Sequence, residues 1–590
     1  MTSRVTRTAG CMNIYSTTAV ACFIIMFSPA SGHSQTAAAK LNELADRFVD
    51  QQLQYDPTLA YSTGLPTYDH SRFADRRPKA LSARDQEETE DLKALLSLPN
   101  ARLAQRDRAT YANLRERLES DLELRVCKTE LWNVNHFDGW QSDLAEVAER
   151  QPVGSARERE QALQRWRSMP EYVNVEIANL RLGLAQGYSA PKSVVRRAIQ
   201  QMDTLAVANP EESVFFSPAK RSGDPAFQNA FRQLILHQIN PALRSYRDFL
   251  QTQYLARARE SVAISDLPNG PACYQAFLRS STTLERSPQE IFNLGQQTVR
   301  ENLAEIAKIG AAQYHSTDPS TIVAKIKSNA AEHFQSKDDL LVFSQRFLQR
   351  AKDITARQLI TRVPQQDIVI QPLSAFEEGA GVGSRFQGQP DPNKPAVFLI
   401  RLGDWRSETR SDAEINTVHE AVPGHYLQKG LARELQPPTR LSKLIDNDAY
   451  AEGWARYAEA MAEEAKIYDS EDAKVMRRLW PARGMVVDPG LHAFHWTRQQ
   501  AVDYMVSSGH FSADAANDYV DRIAVMPGQL TSYDSGGLEI KGLRAEAQLR
   551  LGTRFDLRRF NRAVLEEGVV PLGELRVHLE AWMADELSHK

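Results

Sequence analysis

The chain has 590 residues, 42% of them apolar and 25% charged, with a formal net charge of −4. It is long enough for two to four average domains, and its composition is that of an ordinary globular protein. The small negative charge argues against nucleic acid or an anionic membrane surface as a partner.

The first 32 residues stand apart. Arg4 and Arg7 form a basic start, Thr18 to Phe27 is a short apolar run, and Pro29-Ala30-Ser31-Gly32 supplies small residues. This is the pattern of a cleaved secretory signal, too short for a permanent anchor. The mature chain, 33–590, is therefore expected in the periplasm or outside the cell, without stable membrane insertion. Cys22 raises a lipid-anchored alternative, which Ala19 disfavours because a larger aliphatic residue is wanted there. Export leaves Cys127 and Cys273, for which a bridge and two buried thiols are both open.

Leu41, Leu44, Ala45, Phe48, Val49 and Gln52 share one helical face, as do Tyr111, Leu114, Leu118 and Leu122. Both have polar opposite faces and belong to a bundle. Between about 55 and 90 the sequence reads as a polar connector containing proline. Asn133 to Trp140 gathers amide, imidazole and aromatic groups; His136 there has the surroundings of a structural residue. Residues 155–260 are helical in pattern and carry no motif. Ser287-Pro288-Gln289-Glu290 is a helix start, with a helix running towards Gly310, and Asp338 to Lys352 is another helix.

The texture changes at Asp367 to Ile370 and Ala396 to Ile400, the best strand candidates in the chain. They flank a loop rich in glycine and proline, 374–395. Gly379-Ala380-Gly381-Val382-Gly383 is not a dinucleotide fingerprint, because no strand leads tightly into it and no helix follows. Further on, His492 is expected to follow a turn, Tyr533 to sit in a loop, and helices to span Leu538 to Leu551 and Leu557 to Leu565. A last helix is expected from Pro571 to near Trp582.

Between these lies His419-Glu420-Ala421-Val422-Pro423-Gly424-His425, a stretched form of the zinc-hydrolase signature His-Glu-x-x-His. Residues four apart on a helix differ by about 40° around its axis, and residues six apart by about 120°. A straight helix cannot aim both imidazoles at one ion. Pro423 and Gly424 are suited to bulge the helix and return His425 to the face of His419. Some 30 residues on, Ala449 to Glu459 reads as a second helix, with Glu452 as the third ligand candidate. Glu459, seven residues further along the same face, is its substitute or its supporting partner.

These two segments, with Asp488-Pro489-Gly490-Leu491-His492 and Tyr533-Asp534-Ser535-Gly536, resemble the bacterial domain-of-unknown-function family 885 over nearly the whole mature chain. The resemblance implies a mostly helical, zincin-like (gluzincin-type) fold with two lobes around a cleft and a small sheet beside the metal, the catalytic motifs lying in 365–590. It implies a zinc metallopeptidase with one Zn2+, acting on a peptide or peptide-like substrate. His419, His425 and Glu452 would be the ligands and Glu420 the general base. Tyr533 and His492 are the candidates for oxyanion stabilisation, because they lie in segments the family shares. Arg544 is a candidate for holding a substrate carboxylate, and Gln428 for orienting a ligand. A hydrolase of a non-peptide amide or ester, or a non-catalytic periplasmic binding protein, are the alternatives.

Overall fold

The computed structural model describes residues 36–65, 69–100, 103–374, 378, 383–389, 391 and 393–588. The expected signal, 1–32, and much of the glycine-rich loop, including Gly379 and Gly381, lie outside the described residues.

The first apolar face is the buried face of helix α1 (Ala37–Tyr55): Leu41, Leu44, Ala45, Phe48, Val49 and Gln52. Helix α3 (Gln105–Leu124) buries Tyr111, Leu114 and Leu118, and leaves Leu122 half-buried. Between them the connector reading needs correction. Pro78–Leu96 is a nineteen-residue helix, α2, whose buried positions are Glu88, Asp91 and Leu95. Glu88 accepts hydrogen bonds from Gln52 (3.1 Å) and Arg84 (2.8 Å) and pairs with Arg125, and Asp91 pairs with Arg47. Because ion pairs take the place of an apolar stripe, the helix shows no hydrophobic period to read.

The middle of the chain packs aromatic residues around Trp166, among them Phe73, Phe215 and Phe231. Cys127, just past α3, and Cys273, on α4 (Gly270–Thr282), are joined in a buried disulfide with Cα atoms 4.7 Å apart. Helix α5 (Pro288–Tyr314) begins with the expected reciprocal cap between Ser287 and Glu290 and runs a turn beyond Gly310. Helix α6 spans Lys337–Gln358.

Both expected strands are present, as β1 (Ile368–Pro372) and β3 (Ala396–Ile400). A third, β2 (Arg385–Gln387), lies inside the loop. The order is β1-β3-β2, with β1 parallel and β2 antiparallel to β3. β3 is central and buries Ala396, Val397, Phe398 and Ile400, so it reads as an unbroken apolar run. β2, three residues beside a glycine, carries no alternation to detect.

The half bearing the candidate site follows as α7 (Arg410–Glu420), α8 (His425–Glu434), α9 (Asp448–Glu464), α10 (Arg483–His492), α11 (Ala513–Val525) and α12 (Gln529–Leu551). It closes with α13 (Leu557–Leu565), capped by Asp556, and α14 (Leu572–Ser588). Two local readings change. Asp488 to His492 is the last part of α10 and His492 its final residue, so no turn precedes His492. α12 starts at Gln529, so Tyr533 sits within its first turns and Gly536-Gly537 lie inside it.

Helices α9 and α12 meet backbone to backbone. A Cβ at Gly536 would lie 1.7 Å from the Ala449 carbonyl oxygen, and one at Gly453 would lie 2.5 Å from Gly536. Only glycine at both positions permits this approach, which sets Glu452 on α9 beside Tyr533's helix. Phe398, Val418, Trp454, Ile540 and Leu579 join the sheet and these helices in one apolar cluster, within a unit spanning Ala37–Lys590.

Two predictions follow from the packing. The disulfide closes a loop of 146 residues, so Cys273→Ser is expected to cost about 2–5 kcal/mol of unfolding free energy, read from urea titrations of oxidised parent and variant. Buried Asp488 accepts hydrogen bonds from Tyr274 (2.7 Å) and the Gly528 N–H (3.0 Å), yet burial raises its carboxyl to about 7. The folded state therefore binds a proton that the unfolded state releases near 4, and stability falls as pH rises between those values. Asp488→Asn keeps an acceptor oxygen without ionising. The parent should lose ground to it from pH 4 to 7 and hold level above; a pH-independent difference in melting would refute the raised carboxyl.

Candidate metal-binding and catalytic site

His419 and Glu420 are the last two residues of α7, and His425 is the first of α8. The expected bulge is in fact a full break between two helices. Ala421 (φ −112°, ψ −97°) and Gly424 (φ −78°, ψ −129°) leave helical geometry, and Val422–Pro423 is a cis peptide. The break is short because its backbone closes on itself: the Gly424 N–H donates to the Val418 carbonyl (2.9 Å) and Tyr426 N–H to that of Ala421 (3.2 Å). The Trp454 indole N–H on α9 donates to the Pro423 carbonyl (2.8 Å) and ties the break to the next helix. A Cβ at Gly424 would stand 2.0 Å from the His419 carbonyl oxygen. With glycine there, the two imidazoles sit 4.9 Å apart at 89° to each other.

Glu452 closes the third side. Its Oε2 lies 3.2 Å from His419 Nε2 and 3.4 Å from His425 Nε2. Donors at about 2.05 Å from a tetrahedral zinc ion lie about 3.3 Å from one another. Two neutral imidazole nitrogens and a carboxylate oxygen are also the donor types zinc takes in hydrolases, so these residues fit such an ion in kind and in spacing. A ligand atom of Glu420 likewise falls within 4.8 Å of those of the two histidines. Glu420 Oε2, however, accepts the Phe386 N–H of β2 at 2.8 Å. Glu452, by contrast, contacts both imidazoles and so fits the third donor position more closely in this geometry.

Glu459 takes the supporting place. Its Oε1 accepts from His419 Nδ1 at 2.8 Å, and Arg456 grips the same carboxylate at 2.8 and 3.1 Å. The Arg456 guanidinium carbon in turn lies 5.0 Å from the Trp480 ring centre and 5.7 Å from that of Tyr533. Burial alone would push the His419 imidazole down, but Glu452 and Glu459 hold it up at about 10. Burial likewise opposes ionisation of Glu452, yet His419 and His425 keep it well below the usual carboxylate range.

Other expected residues are placed differently. His492 is fully buried, with Nδ1 accepting the Ile264 N–H (3.2 Å) and Nε2 donating to the Ile523 carbonyl (3.0 Å). Burial pushes it down to about 4; with both nitrogens spent on backbone it has no donor for an oxyanion. Arg544 is committed to Glu464 through contacts of 2.6 and 3.2 Å, so it holds no substrate carboxylate as placed. Gln428 is buried, but its amide makes no hydrogen bond to His425 or any other described residue. His136 is half-buried in its own loop, where burial and Arg197 push it down.

Tyr533 is half-buried, its ring 5.9 Å from that of Trp480 and its hydroxyl 3.5 Å from Arg522 Nη2. Burial, then the charge of Glu452, raises its phenol, and its ring centre lies 5.7 Å from the guanidinium carbon of Arg456, the arginine that holds Glu459. Arg456, Trp480 and Arg522 went unnoticed in the sequence. Arg456 had a signal, lying three residues before Glu459 on one helix; Trp480 and Arg522 come from distant segments and had none.

Gly424→Ala is expected to destabilise the protein by about 1–3 kcal/mol, whereas Gly542→Ala, with open space around its Cβ in the same half of the chain, should be neutral or stabilising. Thermal melts of both variants check the contrast, and equal melting temperatures would mean the break tolerates a side chain.

No curated protein matches the chain significantly. Among solved structures, a protein described as the "putative lipoprotein" from Colwellia psychrerythraea superposes with a TM-score of 0.84 at 21% identity, covering 93% of this chain and all of that one. A "putative lipoprotein of unknown function" from Shewanella oneidensis gives 0.76 at 18% identity, covering 92% and 99%. At these identities the likeness establishes the shared fold. Residues 57–579 match the model of the family described as bacterial protein of unknown function (DUF885), and the chain belongs to that family.

Proposed function

We propose that the protein is an exported zinc-dependent peptidase of zincin-like architecture, hydrolysing peptide or peptide-like amide bonds. The observation that carries this reading is the spacing of His419 Nε2, His425 Nε2 and Glu452 Oε2, 3.2 and 3.4 Å across the shared carboxylate oxygen, with a further carboxylate, Glu420, directly beside His419. When bound, the ion supplies a Lewis acid that lowers the pKa of water towards ~7.

The protein's own residues do the rest. Glu459, accepting from His419 Nδ1, fixes the tautomer that leaves Nε2 as the donor atom. Glu420, steadied by the Phe386 N–H, takes a proton from the attacking water. As the water oxygen bonds to the carbonyl carbon and the C–N bond breaks, Glu420 passes that proton to the leaving amine. Tyr533 would donate its hydroxyl to the oxygen that gains charge.

The buried disulfide supports an oxidising compartment. The lipoprotein description of both similar structures gives weight to Cys22 as an anchor, against cleavage near residue 32. Sequencing the mature N-terminus decides between them.

Purified protein is expected to carry about one zinc per chain, lost in His419→Ala, His425→Ala and Glu452→Ala. Glu420→Gln should keep the metal and the fold, while turnover of a peptide mixture, followed by mass spectrometry, falls on the order of a hundred-fold or more. A Glu420→Gln protein that holds zinc and cleaves at the parent rate would sink the mechanism.

A further inference from the structure

Resting on the peptidase reading, we propose that Arg522 anchors a carboxylate of the substrate, making the preferred substrates short peptides that carry a carboxylate next to the bond cut.

Two rows of side chains run beside each other across the contact of α9 and α12. On α9, Asp448 and Glu452 are one turn apart; on α12, Gln529 and Tyr533 are one turn apart. Gln529 Nε2 donates to Asp448 Oδ2 at 3.3 Å, and further along the same contact Gly453 meets Gly536 and the Arg456 guanidinium carbon lies 5.7 Å from the Tyr533 ring centre. Arg522, on α11, touches both members of the second row: Nη2 donates to Gln529 Oε1 at 2.7 Å and lies 3.5 Å from the Tyr533 hydroxyl. A group held by this guanidinium is thus delivered beside Tyr533, within about a helical turn of the donor cluster.

Arg522 differs in its pairing from three arginines around α9 and α12: Arg456 is paired with Glu459, Arg544 with Glu464 and Arg576 with Glu539. Among the described residues no carboxylate pairs with Arg522, and its Nε is buried without a partner. The Nη1–Nη2 edge of its guanidinium offers the planar fork that matches a carboxylate through two hydrogen bonds.

The remaining neighbour points the same way. The guanidinium carbon sits 5.3 Å from the ring centre of Phe137, an aromatic residue that is 52% exposed. Phe137 belongs to the Asn133–Trp140 stretch, where the Asn135 side chain accepts the N–H groups of Phe137 (2.8 Å) and Asp138 (2.9 Å) and fixes the loop. An exposed ring beside an unpaired cation offers an apolar wall for the residue whose carboxylate Arg522 holds. The carboxylate can be a free C-terminus or an acidic side chain; the chemistry at Arg522 is the same.

The test uses N-acetylated tripeptide libraries in three forms: free acid, C-terminal amide, and amide with Asp or Glu as last residue. Binding is read on zinc-loaded Glu420→Gln protein by ultrafiltration and mass spectrometry of retained peptides, and hydrolysis on the parent. Free acids should be retained about 10- to 100-fold better than plain amides, the range of a hydrogen-bonded charge pair. The preference should vanish in Glu420→Gln/Arg522→Gln and return in part with Arg522→Lys, with melting curves confirming that each variant folds. Retention of acidic amides as well would identify side-chain carboxylates as a second source. Equal retention of acids and plain amides, no retention of any form, or a preference unchanged by Arg522→Gln would overturn the proposal. Carboxylate-dependent retention without hydrolysis by the parent would leave it standing and defeat the peptidase reading instead.

Discussion

The candidate site depends on one steric fact: the carbonyl oxygen of His419 occupies the space where any side chain at residue 424 would begin. Because Gly424 has no Cβ, the chain can leave one helix after Glu420 and enter the next at His425 within four residues. The reversal turns a six-residue spacing, which a straight helix would spread by about 120°, into two imidazoles facing each other at 4.9 Å. The donor geometry follows from this break and not from helical periodicity.

A second close approach completes the arrangement. Gly453 and Gly536 bring α9 and α12 together at backbone distance, so the helix whose Glu452 reaches the histidines lies directly against the helix of Tyr533. The Trp454 indole, one residue from Gly453, ties the same helix to the Pro423 carbonyl at the break. One segment thus carries a donor, the glycine that sets its distance from α12, and the contact that positions the histidines.

Charge is then distributed so that each group is held in a useful state. Buried Glu459 would resist ionisation, but Arg456 and His419 keep it charged, and Arg456 is itself enclosed by Trp480 and Tyr533. A buried ion pair contributes little net stability once desolvation is counted. Its effect here is orientation: Glu459 sets the His419 ring, and the ring presents Nε2 to Glu452. His492 shows the opposite outcome, an imidazole satisfied on both sides by backbone and kept neutral by burial.

What the sequence determined by itself was the set of elements with a strong local cause. The face of α1 was legible because burial imposes a helical period on its apolar residues, the start of α5 because Ser287 and Glu290 cap each other, β3 because it is a buried apolar run, and β1 because Ile368 to Ile370 are apolar and β-branched. The histidine–glutamate segment and Glu452 were legible as a candidate cluster from residue type and spacing, and the fold brings their side chains together. Tertiary structure alone decided the rest. Helix α2 hid its inward face behind ion pairs to Arg47 and Arg84, and Tyr533 fell inside a helix whose glycines pack against another backbone. Which arginine stays unpaired, Arg522 or Arg544, depended on whether a glutamate from a distant segment lay within reach. Such pairings join residues far apart in the chain, and no local pattern encodes them.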